Sequence, residues 1–194
     1  MPYPGRSGSL QSQAVSSGPN RTRTLRGAVS GALAAAVWAL QQPLDKRVFG
    51  SRLDDVELLG KWVTSGDGWY PVGLAIHMGN GALFGAVYAN AHKRLPLPLL
   101  LHGPAAAMGE HLASWPLCAL SDRVHPARHE LPRLQGNRAA FLQATWRHLV
   151  FGAVLGELER RLNAEPEPSP EPAAPFSSNG HGSLEHAVSA QRES

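Results

Sequence analysis

The 194 residues carry a net charge of +3, 43% hydrophobic residues and one cysteine, Cys118. That length suits one domain, and a lone cysteine excludes an intramolecular disulfide or a multi-cysteine metal site. From residue 163 onward five acidic residues oppose Arg192, a net −4 that leaves +7 on the rest. The basic residues cluster at the ends of apolar runs (Arg21, Arg23 and Arg26; Lys93 and Arg94; Arg160 and Arg161). This placement suits phospholipid headgroups, whereas nucleic acid calls for a basic stripe along one face.

Residues 1–22 are rich in Ser, Gly and Pro and are expected to be a disordered tail. The run 27–40, GAVSGALAAAVWAL, is the first apolar helix, extended by 24–25 and 41–42 and closed by Pro43. A secretory leader has a similar look, with Arg ahead of the run and Val37-Trp38-Ala39 as a cleavage-like site. The internal repeat described below favours a retained helix over a cleaved leader. Residues 54–64, DDVELLGKWVT, read as a short amphipathic helix with Val56, Leu59, Trp62 and Val63 on one face. It could lie on a membrane surface or cap a bundle.

The run 70–91, YPVGLAIHMGNGALFGAVYANA, holds no formally charged residue. Its length matches the roughly 20 residues that cross a bilayer as a helix. Trp69 and Tyr70 suit the interface and Pro71 suits a first helical turn. A third span is read over 99–120, kinked or bounded by Pro104 and Pro116, and a fourth over 138–162. Residues 163–194 form an acidic, Pro-rich tail, again expected to be disordered. Gly27 and Gly31, and Gly81 and Gly85, make GxxxG pairs, and with Gly152 they are candidate helix-packing positions.

The second and fourth helices share a frame. Phe84-Gly85-Ala86-Val87 repeats as Phe151-Gly152-Ala153-Val154, and His92-Lys93-Arg94-Leu95 meets Glu159-Arg160-Arg161-Leu162 at the same offset. The first and third align through Trp38, Leu40 and Asp45 with Trp115, Leu117 and Asp122. The reading is an all-α, four-helix transmembrane bundle over 23–162, built from tandem hairpins at about 24–95 and 99–162.

At a rise of about 1.5 Å per residue, His77, Asn80, Glu110, His111, Arg147 and His148 fall in one interior layer near mid-membrane. Charges there face the bundle interior and pair, and Glu110 with Arg147 is the expected ion pair. The layer could be a proton or ion relay, a polar ligand pocket, or a clasp that sets helix register. No cofactor or metal is expected. Glu-x-x-His is absent, and the prolines around His125 and His129 oppose a helical pair of ligands. No GxSxG, P-loop or GxGxxG-after-strand motif suggests catalysis, and Cys118 in its apolar setting suits an inert thiol.

These features resemble the YagU-like group of small bacterial inner-membrane proteins, in four Ala/Gly-rich helices, paired hairpins and intramembrane polar residues. The segments WALQQPLDKRVFGSRLDDVELLG and SDRVHPARHELP also look like a protein type of high-GC, actinobacterial genomes. The resemblance covers about 25–162. It implies an inner-membrane location and no established reaction, so no functional residue carries over. The expectation is a multi-pass membrane protein with both termini in the cytoplasm, handling protons, ions or a small solute, and able to form a homo-oligomer. A membrane scaffold, or a soluble bundle binding a metal or small ligand, are the alternatives. No nucleic-acid partner is expected.

Overall fold

The computed structural model describes residues 20–64 and 66–164. The expected tails, 1–22 and 163–194, lie outside these residues except for 20–22 and 163–164. The described residues are helical, with no strand among them.

Helix α1 spans Arg21–Phe49. Asn20 caps it, its side-chain oxygen accepting from Thr22 N at 3.0 Å and Arg23 N at 3.3 Å. The expected stop at Pro43 does not occur, and the helix runs on for six more residues. Pro43 faces outward, while Trp38, Gln42 and Asp45 form a buried stripe at helical spacing. Tertiary bonding of Asp45 holds the last two turns despite the missing proline donor. The helix ends at Gly50, whose φ of 59° is readily adopted only without a Cβ.

Helix α2, Asp55–Val63, starts at Asp54, whose side chain accepts from Glu57 N at 2.9 Å. Val56 and Gly60 form its buried contact face, and Trp62 and Val63 are exposed. Of the apolar face expected from the sequence, Val56 is therefore packed and Trp62 and Val63 are not buried. Helix α3 spans Trp69–Ala91 and passes through a 3-10 turn, His92–Arg94, into the short link to α4, Leu99–Ser114. The third apolar run is not one helix. Trp115–Leu117 is a 3-10 turn around Pro116, and α5, Cys118–Val124, follows it. Pro104, by contrast, sits inside α4 without ending it. Helix α6 covers Arg138–Leu162 as expected, with Asn137 Oδ1 accepting from Ala140 N at 3.0 Å.

Helix α1 packs against both α3 and α6, α4 packs against α6, and α2 lies on α3. Glycine permits the first pairing. A Cβ on Gly31 would overlap the Gly81 carbonyl oxygen, and one on Gly81 would lie 2.6 Å from both Ala35 Cβ and Gly31 O. Gly103 and Gly152 make the matching close approach between α4 and α6. Helices α3 and α4, though joined by a short link, are not packed along their lengths. A cleft opens between them.

Beside an apolar core around Trp38, Tyr88, Phe151 and Leu155, the interior holds many polar side chains. The largest fully buried side chains include Arg147, His111, His125, Gln143 and Ser30, with Leu155 the one aliphatic among them. Outside, α1 exposes Leu25, Val29, Leu33, Val37, Leu40, Leu44 and Val48 as a stripe down one face, Leu40 at 80%. Leu83 and Val87 on α3, Leu100 and Leu112 on α4, and Leu142 and Leu149 on α6 are exposed as well. Among the described residues, one helix, Trp69–Arg94, is long and apolar enough to cross a membrane. That segment is 26 residues long.

Candidate functional site

Two polar groups meet at the centre of the bundle, and Trp38 stands between them. The first is closed. Arg147 on α6 is fully buried, and its guanidinium forms a bidentate pair with Asp45 of α1. Nε reaches Oδ2 at 2.6 Å and Nη2 reaches Oδ1 at 2.7 Å. Nη1 donates to Asp55 Oδ2 at the start of α2, and Nη2 also reaches the Leu53 carbonyl at 3.3 Å. Gln143, one turn earlier on α6, donates to Asp45 Oδ1 at 2.7 Å. The Trp38 indole N–H donates to Asp55 Oδ2 at 3.0 Å. The cluster ties α1, α2 and α6 together and spends nearly every donor of the guanidinium. Low surrounding dielectric strengthens such bonds and makes a missing partner costly.

This overturns the expected Glu110–Arg147 pair. Arg147 points toward Asp45 and Asp55, and Glu110 meets the neighbouring His148 instead, Nε2 to Oε2 at 2.9 Å. Adjacent helical residues project about 100° apart, so Arg147 and His148 cannot share a partner set.

The second group is open. His148 contacts the Trp38 ring edge-on at 4.6 Å between centroids and stacks on His111 at 4.5 Å. His77 of α3 meets the other side of Trp38 at 5.4 Å, and its Nε2 lies 3.2 Å from the Ala35 carbonyl. His111 Nε2 donates to Thr145 Oγ1 at 3.0 Å, whose own proton goes to Phe141 O. Trp38, His77 and His148 border the cleft between α3 and α4, about 630 Å³ in volume, and His111 is buried behind His148. Trp38, His148 and Phe151 form its floor, Asn80, Leu83 and Phe84 one wall, and Ala107 and Glu110 the other. Asp55 and Leu59 close one end. Four of the six residues expected in a polar layer (His77, Asn80, Glu110 and His148) thus border the cleft, and His111 stacks behind His148. Arg147 belongs to the closed cluster on the far side of Trp38.

Asp54, next to Asp55 but outside the long helices, is the N-cap of α2. Burial pushes its carboxyl up, but Lys46 Nζ at 2.6 Å and the Glu57 N–H outweigh that and hold it below the ordinary value. His125, singled out from the sequence with His129 and Glu130, has both ring nitrogens committed. Nε2 lies 2.9 Å from Leu58 O, and Nδ1 accepts from Ala127 N at 3.0 Å. Glu130 pairs with Lys61. Among the described residues no group of three or more His, Cys, Asp or Glu side chains is arranged to hold a metal ion.

Sequence reasoning missed Asp45, Asp55 and Gln143. The buried stripe of Trp38, Gln42 and Asp45 was the available signal, hidden by ending the helix at Pro43. A further cluster was also missed at the link between α3 and α4. Tyr88 stacks on His92 at 4.9 Å, His92 Nδ1 donates to His102 Nδ1 at 3.2 Å, and His92 Nε2 faces Glu159 Oε2 at 3.3 Å. His102 Nε2 bonds the Leu97 carbonyl at 2.8 Å, which fixes that direction of donation. His92 and Glu159 occupy corresponding positions in the sequence repeat.

Comparison with protein-family models, curated proteins and solved structures finds no match to this chain.

Proposed function

We propose that this chain is an integral membrane helical bundle that handles a proton or a small solute in the cleft between α3 and α4. The observation that carries the reading is the continuous aliphatic stripe exposed along α1, together with the polar groups buried inside. In water that stripe costs about 25 cal/mol per Å² of apolar surface left exposed, whereas lipid solvates it. The uncharged α3 and the glycine contacts of α1 with α3 and α4 with α6 favour the same environment. Multi-pass insertion, two related hairpins and a bacterial inner-membrane location belong to this proposal. The hairpins are supported by the equivalent roles of Gly85 and Gly152 in their respective helix pairs.

Within the reading the two polar groups divide the work. The Arg147 cluster is a clasp, because its donors are saturated by partners from three helices. The Glu110–His148 pair is the working part, because it borders open space and leaves the Glu110 side chain 45% exposed. Alkaline carbonate extraction of cells expressing the tagged chain tests the first half. Release into the aqueous fraction refutes membrane integration. Proton flux in proteoliposomes, wild type against Glu110→Gln, tests the second half. Flux that survives the substitution unchanged leaves a scaffold role, with both polar groups acting as clasps.

A further inference from the structure

The protonation pattern around the cleft narrows what it can hold. His148 Nδ1 lies 2.7 Å from the Ala144 carbonyl, which can only accept, so that nitrogen carries a proton. A second proton lies between His148 Nε2 and Glu110 Oε2, and wherever it sits the pair is neutral overall. His111 donates through Nε2 to Thr145 and stacks on His148, which favours its neutral form. His77 donates through Nε2 to Ala35 O, so its Nδ1 presents a lone pair. His77 is more than nine-tenths buried and borders the cleft, and its Nδ1 has no hydrogen-bond partner among the described residues.

The closed cluster leaves a charge over. Asp45 takes the guanidinium bidentately and cancels it, so the Asp55 carboxylate remains as one uncompensated negative charge. Asp55 Oδ2 is engaged by Arg147 and Trp38, whereas its Oδ1 has no hydrogen-bond partner among the described residues. Asp55 also borders the cleft. Lys46 does not cancel it, being paired with Asp54. Acceptors therefore face the cleft from Asp55 and His77, with Glu110 on the opposite wall. The rest of the surface is apolar and aromatic: Trp38, Phe84 and Phe151. A hydrated metal ion needs several oxygen ligands in a compact shell, and this lining does not offer them.

We infer that the cleft is a binding site for an organic ammonium ion with an apolar body. Its N–H groups bond Asp55 and His77, its charge offsets the carboxylate, and its body fills the aromatic space. The volume lies within the range of small-molecule sites. Aromatic faces add attraction for a desolvated cation. The inference rests on the cleft being the solute site of a membrane bundle, as proposed above.

Dansylcadaverine, a fluorescent primary amine with an aromatic body, is the probe, and its N-acetyl derivative is the neutral control. Both are titrated against the full chain in detergent micelles. The expected result is saturable binding of the amine and binding about tenfold or more weaker for the acetylated form, as loss of one charge-assisted hydrogen bond implies. Asp55→Asn weakens the amine by a similar factor, and Asn80→Trp, an exposed wall position, fills the cleft and abolishes binding. If Asp55→Asn does not fold, Asn80→Trp and the acetylated probe decide. Equal affinity of the two probes, or unchanged binding in Asn80→Trp, overturns the inference. A chain that stays with the membrane yet treats the probes alike loses only this inference. A chain released by carbonate loses the membrane reading whatever it binds.

Discussion

Removing the Arg147 guanidinium would leave two carboxylates without their cation. In Arg147→Met, Asp45 keeps one donor, Gln143 Nε2 at 2.7 Å, and at 2% exposure it cannot rehydrate. Asp55 keeps the Trp38 indole at 3.0 Å and, at 22% exposure, regains some water. The cost therefore falls mainly on Asp45. Breaking a buried pair by removing one partner costs about 3–5 kcal/mol, a large share of the roughly 5–15 kcal/mol that holds a typical domain folded. The double substitution Asp45→Leu, Arg147→Met removes both charges and keeps the volume. It is expected to recover at least about 2 kcal/mol of the loss, because apolar isosteres of a buried pair are often neutral or stabilising. Denaturant unfolding in detergent micelles, followed by tryptophan fluorescence, measures both, and Trp38 reports on the cluster directly. An Arg147→Met variant within about 1 kcal/mol of wild type, or a double variant whose cost is the sum of the singles, refutes the clasp.

The glycines supply a matched pair of predictions. Gly81→Ala drives a methyl group into Ala35 and the Gly31 carbonyl and is expected to cost about 1–3 kcal/mol. Gly79→Ala, two residues away with open space around it, is expected to be neutral or to gain up to about 1 kcal/mol from helix propensity. Unfolding midpoints that rank these two the other way would remove the close α1–α3 contact. Asp54 gives a pH prediction. Its folded carboxyl titrates below its ordinary value of 3.8, so its contribution to stability is complete above that value and is lost as pH falls through the lower folded value. Asp54→Asn should flatten acid destabilisation in that window, and an unchanged acid limb would argue against the Lys46 contact. His125→Ala deletes the bonds to Leu58 O and Ala127 N. Trypsin should then cut faster at Arg128 and Arg133, and an unaltered cleavage rate would mean that the 125–137 loop is held by other contacts.

Local features of the chain were legible without coordinates. Asp54 announces α2, Asn137 precedes α6, and Pro116 breaks the third apolar run, because caps and prolines act within one turn. The charge-free run at 70–91 and the small residues at Gly27, Gly31, Gly81 and Gly85 announced a helix pair in close contact. That His77, Glu110 and His148 lie at one level of the bundle followed from helix rise alone. Partner choice did not. Which way Arg147 faces depends on the rotation of α6 about its axis, and Asp45 is available only because α1 continues past Pro43. The cleft exists because α3 and α4 pack on α1 and α6 respectively and not on each other. The first two rest on the contact of Asp45 with Arg147, about 100 positions away, and the cleft rests on glycine contacts about 50 positions apart, so none can be read from a local window. The sequence by itself determined that the long helices form and which of their faces carry small residues. Tertiary packing decided that the polar layer splits at Trp38 into a closed cluster and an open, net-acidic cleft.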